Sequence, residues 1–274
     1  MLKKFIKNKT FVISFLILFP MLVISVIGPW IIPHDPLEID SNNVLKTSLP
    51  GHPLGTDEFG RDILSRLILG IRPTMLVALG ATLIAFTFGS IFGVVAGYFR
   101  GVYEKTIMRV VDIVLCFPPI LLALMVVGFW GAGIRNLMII IGIVYIPRFA
   151  RLAYSSTIQV KGLEYVQSEL SLGASHLRVL RKIIFPNILS PLIIQISLTI
   201  AAAILLESGL SFLGLGVIPP EPSWGQMIGQ SRGYIATNPM YVLWPSLFLG
   251  LTMLAINLLG DSLRDILDPK LKMK

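Results

Sequence analysis

The chain has 274 residues, of which 54% are hydrophobic and only 14% charged, and 23 Lys and Arg outnumber 15 Asp and Glu for a net charge of +8. A soluble domain carries about 25% charged residues, and the apolar residues here come in long blocks, which excludes a soluble globular chain and points to bilayer spans. In such a chain a basic excess reports topology rather than nucleic-acid binding.

Six spans are predicted, near 10–32, 73–98, 108–130, 137–157, 188–213 and 241–260. Each reaches or nearly reaches the ~20 residues that cross the hydrocarbon, so the predicted fold class is an all-α polytopic membrane protein. With the N-terminus inside, 17 basic residues fall on the cytoplasmic side and 6 outside, as the positive-inside rule requires. Trp30, Trp130, Trp224 and Trp244 then fall at or beyond the outer ends of spans, where aromatic rings prefer the interface.

The first span follows a basic stretch from Lys3 to Lys9 but runs long and lacks a small-residue cleavage site before Pro29-Trp30, so it reads as an uncleaved anchor. Residues 33–72, with Pro33, Pro36, Pro50, Gly51, Pro53, Gly55 and Gly60, form a compact external segment. In it Asp57, Glu58, Arg61 and Asp62 read first as a salt-bridged loop and second as a docking point for a binding protein. The second span repeats Ala81, Ala85, Gly89, Gly93 and Gly97 every four residues, a face on which helix backbones approach closely. It serves either ordinary tight packing or a helix that rocks against its neighbours. The third span opens with Arg109 and Asp112 and meets Pro118-Pro119, which should kink it and make it a candidate pathway helix. The single cysteine, Cys116, lies in this span, which rules out an intrachain disulfide. Pro147, Arg148 and Arg151 interrupt the fourth span.

A polar, basic island then separates two apolar blocks. Leu163 to Leu172 can form about three turns of helix. Gly173 suits the left-handed residue that follows a helix, and Ser175 can cap a second helix. There Leu177, Leu180, Ile183 and Ile184 share a face, with Arg178, Arg181 and Lys182 mostly away from it. Pro186 should end the regular ladder as the chain re-enters the membrane. The island is either a rigid handle for a partner or an interfacial hairpin with none. Glu207, inside the fifth span, either lines a passage or pairs with Arg72 or Arg66, the pairing being preferred. Pro219-Pro220 and Trp224-Gly225 mark a structured external loop, and Asp261 and Asp265 are expected to anchor the end of the sixth span against Arg264 or the island.

The island resembles the EAA loop of the integral membrane subunits of binding-protein-dependent ABC importers, whose pattern is Glu-Ala-Ala, three residues, Gly, nine to ten residues, then Ile-x-x-Pro or Ile-Leu-Pro. Here Tyr165-Val166 precedes it, Leu172-Gly173-Ala174-Ser175 supplies the glycine turn, and Ile184-Phe185-Pro186-Asn187 closes it. Gln167-Ser168-Glu169 stands where the name-giving triplet would be, so Gln167 replaces the first acid, and Glu164 or Glu169 can supply the charge. His52-Pro53-Leu54-Gly55-Thr56-Asp57-Glu58-Phe59-Gly60-Arg61-Asp62 is similar to a segment of the "C" permease subunits for dipeptides, oligopeptides and nickel. So are Leu210-Ser211-Phe212-Leu213-Gly214-Leu215-Gly216 and the end from Gly260-Asp261 to Leu267-Asp268-Pro269.

The resemblance implies a type I ABC importer transmembrane domain with a cytoplasmic coupling helix. It divides the chain into an anchor with its tail at 1–32, an external segment at 33–72, a five-helix core at 73–262 with the coupling loop at 160–187, and a tail at 263–274. It implies ATPase-coupling roles for Glu164, Gln167, Ser168, Glu169, Gly173, Ala174 and Ser175, with Pro118, Pro119 and Glu207 as pathway or gate candidates. It also implies a homologous membrane subunit, two cytoplasmic ATP-binding subunits holding ATP and Mg, and an extracytoplasmic binding protein. The setting would be the bacterial cytoplasmic membrane with both termini inside. Peptides are the first substrate expectation, nickel or a metal chelate the second.

No cofactor, catalytic residue or metal site is expected on the chain itself. It contains no Gly-Lys dipeptide and so no phosphate loop of the Gly-x-x-x-x-Gly-Lys-Ser/Thr kind. A stand-alone secondary transporter would need inverted repeats and mid-membrane charges; no convincing repeat is found, and charges inside the spans are few. A membrane enzyme would need a cluster, yet His34, His52 and His176 are dispersed, and Gly209-Leu210-Ser211-Phe212-Leu213 lacks the last glycine of a nucleophile elbow.

Overall fold

The structure, a computed structural model, describes residues 8–267. Lys3, Lys4, Lys7, Asp268, Pro269, Lys270, Lys272 and Lys274, used above for topology and motif, lie outside the described residues. The elements in chain order are α1 (Lys9–Ile31), a 3₁₀ turn at Ser41–Asn43, α2 (Ile63–Phe99), α3 (Val102–Leu115), α4 (Pro119–Trp130), α5 (Ile134–Lys161) and α6 (Glu164–Ser171). After them come α7 (His176–Val179), a π turn at Leu180–Ile184, α8 (Phe185–Phe212), α9 (Trp224–Ser231), a 3₁₀ turn at Arg232–Tyr234 and α10 (Pro239–Leu267). No strand occurs among the described residues. Five helical stretches are long and apolar enough to cross a membrane, and α3 with α4 makes a sixth if counted together.

The core is the α2–α5 pair, which makes the most extensive contact in the molecule. The two helices run parallel, and the small-residue face lets them touch backbone to backbone. A Cβ on Gly89 would stand 2.6 Å from the Ile146 carbonyl oxygen, and one on Gly93 only 2.3 Å from that of Ala150. Across the same seam Gly142 closes on Ile84. Only glycine permits this approach, so the stripe serves tight packing. α8 lies across both helices, α10 packs on α8 and α9, and α1 closes the outside against α10 and α2.

Span boundaries differ from the sequence expectation in ways that have local causes. α2 begins at Ile63 rather than near 73, because Asp62 caps it, its Oδ2 accepting from Ser65 N at 2.8 Å. Pro73 lies buried inside the helix. Pro147, Arg148 and Arg151 do not interrupt α5: Pro147 is buried, Arg148 lies over the Tyr145 ring at 4.8 Å, and Arg151 reaches Asp112 at 2.7 Å. Pro186 does not end a ladder. It occupies the first turn of α8, where a missing N–H costs little, and helix runs on from His176 to Phe212 through the π turn. At Pro118-Pro119 the chain breaks rather than kinks: α3 and α4 meet at 91°. Pro118 lacks a donor and disfavours the helical conformation at Phe117, and Pro119 starts a new helix.

Asp261 and Asp265 are exposed on α10, and among the described residues neither pairs with Arg264 or the island. Trp224 is not interfacial: it is fully buried and donates from Nε1 to the Leu67 carbonyl at 3.0 Å.

Candidate functional site

At one end of the α2–α5 pair the chain leaves α5 at Lys161, makes α6 and returns through α7. α6 ends in a Schellman motif. Gly173 takes φ +81°, its N–H donates to the Leu170 carbonyl at 3.0 Å, and the Ala174 N–H donates to that of Glu169 at 3.1 Å. Ser175 Oγ then accepts from Arg178 N at 3.4 Å and starts α7. The helix, glycine turn and cap expected from the sequence are all present.

The hairpin is anchored by few side chains. Val166 and Val179 are fully buried, while Glu164, Gln167, Ser168, Glu169, Gly173 and Ser175 are exposed and Ala174 half-buried. Gln167 Nε2 donates to the Lys161 carbonyl at 2.8 Å, and Ser168 Oγ to that of Glu164 at 3.0 Å. Leu172 is 85% exposed at the tip and Leu177 60%, with Leu163 and Tyr165 also exposed. Leu177 therefore does not join Ile184, which is buried, against the core; the π turn between them shifts the register. Arg178, Arg181 and Lys182 are exposed. The structure brings the seven candidate coupling residues onto one protruding element with an apolar tip.

The pathway candidates are not brought together. Pro118 and Pro119 are exposed at the α3–α4 break. Glu207 is fully buried in α8, at the opposite end of the molecule from the hairpin. It pairs with neither Arg66 nor Arg72. Its Oε1 accepts from Ser211 Oγ at 2.7 Å and its Oε2 from Ser208 Oγ at 3.3 Å. Ser211 Oγ in turn accepts from Val217 N at 3.4 Å. α9 sits so close that a Cβ on Gly225 would stand 2.3 Å from the Ser208 carbonyl oxygen. Glu207 thus holds the return of the chain toward α9.

That far end carries a charged knot. Asp57 Oδ2 meets Arg61 Nε at 2.6 Å and Arg66 Nε at 3.3 Å, and Asp57 Oδ1 accepts from Phe59 N and Arg61 N, each at 2.9 Å. Arg66 Nη1 donates to the Pro36 carbonyl at 3.0 Å, which is why it is unavailable to Glu207. Glu58 accepts from the Tyr241 hydroxyl of α10, and His52 Nδ1 lies 2.9 Å from Asp62 Oδ1. Asp57, Arg61, Asp62 and Arg66 are all buried, so the first reading of this cluster, a salt-bridged loop, describes it.

Sequence reasoning missed Tyr98, Lys161 and His176 as a group. Tyr98 OH lies 2.9 Å from His176 Nδ1, and Lys161 Nζ donates to the Tyr98 carbonyl at 2.6 Å. Their separations along the chain obey no helical period, so the group carries no local signal.

Residues 89–273 match the family model described as binding-protein-dependent transport system inner membrane component. Residues 1–50 match the N-terminal TM domain of oligopeptide transport permease C. The chain is 36% identical over 271 residues to the glutathione transport system permease protein GsiD of Pectobacterium atrosepticum, covering 98% of this chain and 90% of that protein. It is 40% identical over 264 residues to the di/tripeptide transport system permease protein DppC of Pseudomonas aeruginosa, covering 93% and 87%. The dipeptide transport system permease protein DppC of Alkalihalophilus pseudofirmus is 37% identical over 270 residues, 98% of this chain and 89% of that one. Two structures of inward-facing conformations of the MetNI methionine ABC transporter share the fold, with TM-scores of 0.63 and 0.64 at 18% and 19% identity, each over 75% of this chain and 98% of that chain.

Proposed function

We propose, for a chain that belongs to the family of binding-protein-dependent transport system inner membrane components, that it is the permease subunit of an ATP-driven bacterial importer of di- and oligopeptides. It forms half of the path and pairs with a homologous membrane subunit. The energy comes from two separate ATP-binding subunits that hold ATP and Mg. An extracytoplasmic binding protein delivers the peptide, and the hairpin and both termini face the cytoplasm. The relatives named for dipeptide, di/tripeptide and glutathione transport support the substrate class.

One observation carries the mechanism: the α6–α7 hairpin holds its own shape by capping yet exposes Tyr165 of α6, Leu172 at its turn and Leu177 of α7. Exposed apolar side chains on a rigid, rimmed element mark a docking surface. Seated in an ATPase groove, α6 passes the closing of the ATPase pair to α5 and α8, which flank it in the chain, and the two membrane subunits rock between inward- and outward-facing states. Glu164, Gln167, Ser168 and Glu169 meet the groove, while Gly173, Ala174 and Ser175 fix its angle.

The test is co-purification with the co-expressed ATPases and second membrane subunit, followed by proteoliposome uptake of a mixture of di- to hexapeptides read by mass spectrometry. The ATPases should be retained by the unaltered chain and lost with Gly173→Leu. Uptake by this chain alone, without ATP, would overturn the proposal.

A further inference from the structure

The hairpin hangs between two legs, and both are fastened to the same residue. The near leg is the end of α5. Lys161 Nζ donates to the Tyr98 carbonyl at 2.6 Å and stands 4.9 Å from the centre of the Tyr98 ring. That carbonyl belongs to the last turn of α2, whose oxygens lack helical partners, and a cation there is also favoured by the helix dipole. Gln167 extends the near leg onto α6 through the Lys161 carbonyl, at 2.8 Å. The far leg is α7. His176, its first residue, places Nδ1 2.9 Å from the Tyr98 hydroxyl, a hydrogen bond whichever of the two carries the proton. Its ring also meets the Tyr98 ring edge-on at 5.7 Å.

The legs differ in what else holds them. α5 is locked to α2 by backbone contact at Gly89, Gly93 and Gly97. The start of α8 is not: Phe86, Ser90 and Val94 of α2 face Leu180 and Phe185 across an open apolar cavity of about 400 Å³. The π turn at Leu180–Ile184 lies in that same stretch. Near the hairpin, then, the far leg is held by the buried Val179 and Ile184, and its hydrogen bond to α2 runs through His176 and Tyr98, which is itself held, being only 2% exposed.

We infer that Tyr98 is a positioning residue for coupling: through its carbonyl and its hydroxyl it clamps both legs of the hairpin to the α2–α5 pair. A displacement of α6 is then carried into that pair instead of being absorbed at the π turn. This rests on the reading of α6 as the element that meets the ATPase. Tyr98→Phe keeps the buried ring and the carbonyl and cuts only the far leg, so it leaves the fold and the near leg in place.

The experiment uses the full complex with its binding protein in proteoliposomes and reads ATP hydrolysed per peptide imported from the di- to hexapeptide mixture. Tyr98→Phe and His176→Ala should each raise that ratio about fivefold, the effect of one hydrogen bond of ordinary net strength on an equilibrium, while the ATPases stay bound. His176→Asn, whose amide can stand near the Nδ1 position, should return the ratio toward that of the unaltered chain. An unchanged ratio in Tyr98→Phe overturns the clamp, as does a parallel fall in hydrolysis and uptake, the mark of simple structural loss. Failure of the coupling reading looks different: the unaltered chain itself retains no ATPase, and the clamp falls with it.

Discussion

The two ends of the α2–α5 pair are built on opposite principles. At the far end Asp57, Arg61, Asp62 and Arg66 are buried and bonded to one another, to capping N–H groups and to the Pro36 carbonyl. On the hairpin Glu164, Glu169, Arg178, Arg181 and Lys182 stay in solvent, beside large exposed apolar side chains, Leu172 and Leu177 foremost. Two buried arginines share the one Asp57 carboxylate, and breaking a buried pair is strongly destabilising, so the knot favours one geometry. The hairpin fixes its internal geometry by capping and leaves its outer surface unspent. A region whose charges are buried against one another is a foundation; one that holds shape but leaves apolar surface open is made to meet something.

The largest effect should come from breaking the foundation. Asp57→Ala leaves two arginines buried without their shared carboxylate, a loss of about 3–5 kcal/mol for a broken buried pair. Thermal unfolding of the detergent-solubilised complex, followed by size-exclusion fluorescence, should show a collapse of the folded fraction. Full stability in Asp57→Ala would mean the knot is not a foundation.

Next is the seam joining the two ends. Gly93→Val would place its Cβ 2.3 Å from the Ala150 carbonyl oxygen, and overpacking of this kind costs about 1–3 kcal/mol. Gly128 has open space around it in α4. Gly128→Ala should be neutral or stabilising by about 0.5–1 kcal/mol, the helical preference of alanine over glycine. Equal losses in the two variants, measured in the same unfolding assay, would show that the stripe is not what joins the helices.

Third is the hairpin turn. Gly173 also has open space around it, so Gly173→Leu acts through the backbone alone, at about 1–2 kcal/mol for a left-handed non-glycine residue. Its unfolding temperature should fall by only a few degrees while ATPase retention is lost, the reverse of Asp57→Ala. Retained ATPase in a pull-down would erase the contrast between the two ends.

The same contrast explains what was legible in the sequence. Where structure follows from neighbours a few residues apart, the chain announces it: the small-residue period of α2, the helix before Gly173, the Ser175 cap. Where it depends on distant partners, it does not. Arg66 looked free to pair with Glu207, but the Pro36 carbonyl and Asp57 hold it, and Glu207 is satisfied by hydroxyls on its own helix. Trp224 looked interfacial because aromatic rings usually are, but a carbonyl 157 positions away takes its N–H. Pro147 looked like a break, although the packed bundle absorbs the bond it loses. Tyr98 meeting Lys161 and His176 is the extreme case, since only the folded bundle brings them together.

The smallest expected effect lies on the rim of the knot and tests how far its rigidity extends. Asp40 caps the turn at Ser41–Asn43. Its carboxyl is held below the usual aspartate value, first by the Asn43 side chain, at 2.7 Å, then by the Asn42 N–H, at 3.0 Å. A lowered folded pKa means that the turn binds the proton more weakly than the unfolded segment does. Its stabilisation is therefore complete above the ordinary value near 3.8 and is lost as pH falls through the lower folded value. Amide exchange across 41–46, corrected for intrinsic rate, should rise on acidification below that point while exchange in α2 holds. Asn43→Ala removes the largest cause of the shift, so it should raise exchange at neutral pH and flatten the acid response. An acid response of undiminished steepness in Asn43→Ala would show that the carboxylate does not hold this turn, and the rigid region would end at Asp57.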